Sequence, residues 1–177
     1  AAFYRIYETT DSVYHFLDTT SALTYHVHSL SPSTRFSFIV STVNTSVVES
    51  QGSSPATAVT KPAKPINLSS SPLDTSRISL VWSSGGGANA RYRIYRSPID
   101  SGYTLIDSIP TTTYTAALLS PSVRYYFKVS ALNSVGVEGP QSASATDVTF
   151  PSTPRNLTAY GVNQTTIRLA WQNGGGA

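Results

Sequence analysis

Hydrophobic and polar positions alternate along much of this chain, the two-residue period of strands with one buried and one wet face. Arg77–Trp82 (R-I-S-L-V-W) places Ile78, Leu80 and Trp82 on one side. Arg91–Arg96 (R-Y-R-I-Y-R) turns Tyr92 and Ile94 inward and its arginines outward. Tyr125–Ala131 (Y-Y-F-K-V-S-A) sends Tyr125, Phe127, Val129 and Ala131 to the buried side. Turn-prone Gly, Pro, Ser and Asn separate such runs at intervals of about 8 to 12 residues, which predicts a β-sandwich or small barrel. No stretch has the period of an amphipathic helix.

The pattern recurs. Displaced by 89 positions, Tyr14–Ala88 aligns with Tyr103–Ala177 without a gap and with 31 identities in 75 pairs. L-S-P-S-T-R-F-S-F at Leu30–Phe38 meets L-S-P-S-V-R-Y-Y-F at Leu119–Phe127, and Ile78, Leu80 and Trp82 meet Ile167, Leu169 and Trp171. Upstream, Y-R-I-Y at Tyr4–Tyr7 matches Tyr92–Tyr95 at an offset of 88, so one residue is gained or lost in the following loop. A period of this length suits a whole domain and exceeds that of solenoid repeats.

Several motifs then occur in a fixed order: Pro65-Ile66-Asn67-Leu68, the inward Trp82, the Tyr92 strand, L-x-P-x-x-x-Y (Leu119, Pro121, Tyr125) and V-x-A-x-N-x-x-G (Val129, Ala131, Asn133, Gly136). Together they resemble the fibronectin type III family. The resemblance implies an all-β protein of immunoglobulin-like, seven-stranded Greek-key sandwiches in tandem. It implies Trp82 and Trp171 as core anchors in strand B, and Tyr125 as the tyrosine corner that opens strand F. The first repeat departs from the pattern in two places. Phe36 stands at the corner position and lacks the hydroxyl, and Val47 stands where the second repeat has Gly136, so its last hairpin is expected to differ in shape. The loop Asn133–Pro140 lies where cell-binding members carry Arg-Gly-Asp; that tripeptide is absent, so an integrin-type role is not implied.

On this reading residues 63–152 form one complete domain, residues 1–62 are strands C to G of another, and residues 153–177 are strands A and B of a third. Neither end piece closes a sandwich alone, because strands C to G without A and B leave an apolar face and open edges. The ends are complementary in phase: Ala177 corresponds to Ala88 and Ala1 to Asn89, so tail plus head amount to one domain. Two arrangements follow, a long covalent tandem, or separate chains that each donate the C-terminal hairpin to the next in a contact that does not close. The tandem is preferred, since Gly-rich loop tips are where cleavage and disorder concentrate, and plain truncation is the remaining explanation of the ends. The connectors Thr60–Pro65 and Thr149–Pro154 carry two prolines each, so Pro62, Pro65, Pro151 and Pro154 read as stiff spacers. The loops Gly85–Gly87 and Gly174–Gly176 read as the joins.

Composition narrows the function by exclusion. Charged residues make up 12 % of the chain and the net charge of +3 rests on few of them, so no nucleic-acid partner is expected. With no cysteine there is no disulfide framework and no thiol chemistry. No apolar run approaches the length of about 18 residues that spans a bilayer, so no membrane insertion is expected in this segment. There is no Gly-x-Ser-x-Gly elbow and no clustered carboxylate pair among the nine acids. G-G-G-A-N-A lacks the Lys-Ser/Thr of a phosphate loop. Neither a catalytic residue nor a cofactor is expected, and the chain is read as not an enzyme.

Three kinds of side chain remain as site candidates. His15, His26 and His28 are candidate metal ligands, and His26-Val27-His28 would put two imidazoles on one face of a strand. The second repeat has Thr104, Thr115 and Ala117 there, so the fold does not need them. Asn44, Asn67, Asn156 and Asn163 open N-glycosylation sequons. Arg91, Arg93 and Arg96 with Tyr92 and Tyr95 could form a basic aromatic surface, although the solvated face of a strand explains them as well. The expected function is a structural repeat unit of an extracellular filament, stalk or surface fibre, with copies of itself head to tail as partners and glycans on the sequons. The alternatives are a ligand-binding or adhesion module of a cell-surface protein, and spacer domains of a secreted polysaccharide-active enzyme.

Overall fold

The computed structural model describes residues 3–175. These residues form thirteen strands and no helix: β1 (Phe3–Thr9), β2 (His15–Thr20), β3 (Arg35–Val43), β4 (Ala56–Val59), β5 (Ile66–Pro72), β6 (Ile78–Ser83), β7 (Arg91–Ser97), β8 (Thr104–Ile109), β9 (Thr113–Ala116), β10 (Arg124–Leu132), β11 (Ala145–Val148), β12 (Arg155–Asn163) and β13 (Thr166–Gln172). They divide among two compact units. The first comprises Ala1–Ala63 with Gly86–Ala90 and Ala131–Pro140, and the second Lys64–Gly85, Arg91–Ser130 and Gln141–Ala177.

The seven strands β5 to β11 make a sandwich of a three-stranded sheet, β5-β6-β9, and a four-stranded sheet, β11-β10-β7-β8. The alternation read from the sequence decides what lies between the sheets. Ile78 and Leu80 from β6, Ile94 from β7 and Phe127 and Val129 from β10 are wholly removed from solvent. Trp82 meets Tyr92 edge-on, with ring centroids 5.5 Å apart, a geometry that aromatic pairs prefer over face-to-face stacking. At the corner the Ser120 N–H donates to the Tyr125 hydroxyl at 3.0 Å. The strand pairing is antiparallel, with Ile78 opposite Ala116 and Leu80 opposite Tyr114. β12 and β13 form a separate two-stranded hairpin in which every residue is exposed.

The first unit holds one four-stranded sheet, β2-β1-β3-β4. Phe36, in the place of the corner tyrosine, is buried and stacks on Phe38 at 6.3 Å. Two readings of the sequence change here. The strand expected beneath His26 and His28 does not form: residues 24–28 belong to no strand. The counterparts of residues 24–27, Thr113–Ala116, are a strand because β6 lies beside them, and a strand without a hydrogen-bonding neighbour has no ladder to hold it.

The other correction concerns Val47. The hairpin after β3 has the same shape as its counterpart, against expectation. Asn44 N–H donates to Val48 O and Val47 N–H to Asn44 O, both at 3.0 Å, and Asn133 with Val137 and Gly136 makes the same pair of bonds at 3.0 Å. In each turn the asparagine Oδ1 accepts two further amides, from Ser46 and Val48 or from Val135 and Val137. That side chain sets the turn, and the residue three positions on must go left-handed. Gly136 does so at φ 79°, and Val47 is carried to φ 62° although its branched side chain disfavours it.

Loop 86–90 and hairpin 131–140 join the first unit through polar contacts. Asn133 Nδ2 donates to Thr60 O at 3.0 Å, and Ser33 Oγ donates to Asn89 Oδ1 at 2.7 Å. Gly87, at φ +78°, runs so close to this surface that a Cβ there would stand 2.3 Å from Pro32 O.

Candidate functional site

The sheet of the first unit has apolar side chains on a face that is only partly covered among the described residues. Tyr4 and Ile6 from β1 and Phe38 and Val40 from β3 line a cleft of about 490 Å³, closed on one side by Leu23, Tyr25 and Val27. Their counterparts in the sandwich, Ile94, Phe127 and Val129, are fully buried beneath β6. Here Val40 is 39 % and Leu23 88 % exposed. The cleft therefore lies over positions whose counterparts in the sandwich are buried. The β12–β13 hairpin presents the opposite case. Ile167, Leu169 and Trp171 are 69 %, 53 % and 60 % exposed, whereas Ile78, Leu80 and Trp82 are at 0 %, 0 % and 4 %.

A polar cluster sits on the two central strands of the same sheet, at positions that alternate with those of the cleft. The Glu49 carboxylate accepts bonds from Arg5 Nη1 at 2.5 Å, from the Tyr7 hydroxyl at 2.5 Å and from Ser41 Oγ. The bond from Ser41 first, then those from Tyr7 and Arg5, hold the Glu49 carboxyl at a pKa of about 2. A carboxylate so fully engaged is a poor proton acceptor at neutral pH; it fastens the segment after the Val47 turn to β1 and β3. The sequence reading missed this group. Its signal is that all four residue types recur together in the other repeat, as Arg93, Tyr95, Ser130 and Glu138.

The other candidates are dispersed. The His26 and His28 rings lie 6.3 Å apart, centroid to centroid, and His15 is exposed at the start of β2. Among the described residues no three or more His, Cys, Asp or Glu side chains come together as a metal site. Asn44, Asn67, Asn156 and Asn163 are all exposed. Asn67 and Asn156 share a left-handed backbone at φ 56° and 55°, and Asn156 Nδ2 donates to Gln172 Oε1 at 2.7 Å. Of the basic aromatic set, Arg91 bonds Ser108 on the neighbouring strand, Arg96 lies 5.6 Å over the Tyr125 ring, and Tyr92 is in the core. Pro62 and Pro65 are buried and Pro151 and Pro154 exposed. Gly176 lies outside the described residues.

The sandwich of β5 to β11 coincides with the segment, residues 62–148, that matches the family described as "Fibronectin type III domain". Residues 62–148 form a fibronectin type III domain. Among curated proteins the chain is similar to Receptor-type tyrosine-protein phosphatase S of Gallus gallus, 34 % identical over 102 residues that cover 54 % of this chain and 7 % of that protein. It is also similar to Exoglucanase A of Cellulomonas fimi, 29 % identical over 141 residues that cover 71 % of this chain and 16 % of that one. Among solved structures, an Fn3-like protein from Clostridium thermocellum is 35 % identical, with a TM-score of 0.45, over 52 % of this chain and 96 % of that one. The chain thus spans less than a tenth of the receptor phosphatase and about a sixth of the exoglucanase. What is shared is the fibronectin type III domain, a module that is not itself the catalytic part of those proteins.

Proposed function

We propose that this chain is a non-catalytic structural unit of an extracellular or cell-surface array, a stalk, filament or fibre in which fibronectin type III domains follow one another head to tail. Residues 63–152 are one complete domain of that array, residues 1–62 are the later strands of the domain before it, and residues 153–177 are the first strands of the domain after it. The observation that carries this reading is the 89-residue period, which runs through the connectors as well as the sandwich. Short two-proline connectors keep successive domains from collapsing on one another. Exposed Asn44, Asn67, Asn156 and Asn163 are positions at which glycans would coat such an array without disturbing a core.

Electron microscopy of the native material, with mass measurement of the denatured chains, tests the proposal. Continuous fibres or stalks with a repeat of one domain support it, and discrete particles overturn it. One observation favours a second reading: the similarity to the exoglucanase covers 71 % of this chain, against 54 % for the receptor phosphatase. In that reading the domains are spacers of a secreted polysaccharide-active enzyme, and sequencing of the parent polypeptide would find a catalytic domain beyond them.

A further inference from the structure

We propose that Asn163 is an N-glycan acceptor, and that among the four sequons of this chain it is the one whose local structure favours the modification. The glycosyl donor is a lipid-linked oligosaccharide pyrophosphate. This deepens the array reading and rests on it, because a chain of such an array passes through the secretory route on which glycans are attached.

A sequon demands a hydroxyl two residues after the asparagine, and the four sites differ in where that hydroxyl goes. At Asn67 in β5 and Asn156 in β12 it is spent across the strand pair: Ser69 Oγ donates to Val81 O at 3.4 Å, and Thr158 Oγ1 to Ala170 O at 3.2 Å. The Asn156 nitrogen is itself engaged, donating to Gln172 Oε1 at 2.7 Å. At Asn44, Oδ1 is taken by the amides of Ser46 and Val48, at 3.0 and 2.9 Å, so Ser46 contributes its N–H and not its hydroxyl. Among the described residues, only at Asn163 does the hydroxyl turn back on the carboxamide. Thr165 Oγ1 donates to Asn163 Oδ1 at 3.3 Å, and the Thr165 N–H donates to the same oxygen at 3.0 Å. Asn163 is exposed, and no described residue accepts a bond from its Nδ2.

That arrangement suits the reaction. An amide nitrogen is a weak nucleophile because it shares its lone pair with the carbonyl, and a hydroxyl donating to Oδ1 makes the Nδ2 protons easier to lose. As Nδ2 bonds the anomeric carbon, the bond from that carbon to the pyrophosphate oxygen breaks. The pyrophosphate leaves with the electron pair and Nδ2 gives up one proton; nothing is oxidised or reduced. The turn does not owe its shape to the exposure of the hairpin. Its counterpart in the complete sandwich, Asp74, accepts the same two bonds on Oδ1, from the Ser76 N–H at 2.7 Å and Ser76 Oγ at 3.1 Å, with its side chain 35 % exposed. There Arg77 Nε holds the second oxygen, Asp74 Oδ2, at 2.6 Å. In the later repeat both partners change, Asp74 to Asn163 and Arg77 to Thr166, so a nitrogen stands where the paired oxygen was and no guanidinium faces it.

The test reads the native chains. Mass spectrometry of the digested protein, before and after enzymatic deglycosylation, locates glycans on the peptides that hold Asn44, Asn67, Asn156 and Asn163, with fragmentation separating the last two. The expected result is a glycan on most copies at Asn163 and on fewer at each of the other three. Expressed in the source cells, Thr165→Ala should abolish the modification at Asn163 and Thr165→Ser should keep it. Asn163→Asp writes in the side chain that the complete domain uses at this turn, so it should fold and carry no glycan there. An unmodified Asn163 overturns the inference, and so does equal or higher occupancy at another sequon, or a modification that survives Thr165→Ala. None of these outcomes touches the array reading, which falls only if the native material forms no fibre or stalk.

Discussion

Replacing Val47 by glycine should stabilise the turn that Val47 occupies. At φ 62° a branched residue sits where an L side chain crowds the following carbonyl, which costs about 2 kcal/mol, the upper part of the usual range. Two terms oppose the gain. Val47 is 67 % exposed, so deleting its side chain forfeits only about a third of a buried valine, about 0.5 kcal/mol. Glycine also gives the unfolded chain more freedom, about 0.5–1 kcal/mol. The net stabilisation is about 0.5–1 kcal/mol, and the reverse change, Gly136→Val, should cost about 1 kcal/mol, since no atom lies within 4 Å of the Cβ it would add. Amide exchange reads both turns at matched positions, the Ser50 N–H bonded to Thr42 O and the Gly139 N–H bonded to Ala131 O, each at 2.9 Å. Protection of Ser50 should rise about 2- to 5-fold in Val47→Gly and that of Gly139 fall about fivefold in Gly136→Val. Lower protection in the first, or no change in the second, would refute the argument that backbone strain separates the two turns.

Acid should loosen the Glu49 cluster. The carboxyl is depressed to about 2 in the folded chain from an ordinary value of 4.5, so its contribution is full above about pH 4.5 and is lost as pH falls through about 2. Exchange at Ser50 should therefore quicken, beyond the intrinsic rate, across that window, and Glu49→Gln should flatten the dependence. Tyr125→Phe removes the acceptor of the Ser120 N–H and should lower the stability of the complete domain by about 1 kcal/mol in urea unfolding; an unchanged midpoint would mean that water replaces the bond without loss. Leu80→Ala should cost about 2–5 kcal/mol in the same assay, whereas Leu169→Ala, at a chain concentration low enough to keep copies apart, should cost less than about 0.5 kcal/mol. Equal effects would mean that the exposure of the hairpin is not its state in solution.

What the sequence made legible was whatever a two-residue period can encode. Ile78, Leu80 and Trp82 alternate with polar neighbours and lie buried; Tyr92, Ile94, Phe127 and Val129 follow the same rule. What it hid depends on partners. Thr24–Val27 resembles Thr113–Ala116 in sequence but has no strand beside it, and strand formation is a property of pairs. The Val47 turn keeps its shape without a glycine because Asn44, whose side chain dictates the bend from three positions away, is present in both repeats, and the valine that must bend hides this in the sequence. The Glu49 cluster escaped because its members are scattered over Arg5, Tyr7, Ser41 and Glu49, which meet only when β1 and β3 pair. Comparing the repeats for co-occurring polar residues would have found it.

Segment 24–28, which forms no strand, bears on how such a domain would give way under tension. Among the described residues the strands of the first unit make one four-stranded sheet, and residues 24–28, whose counterparts include β9, lie in no strand. A complete domain pulled from its N-terminal side should pass through that arrangement. Peeling β5 and β6 would release β9 at once, and a four-stranded remnant would bear the load until a second, separate rupture. Extension would then come in two steps, so that a fibre of these domains could lengthen part-way and recover while half of each sandwich still held.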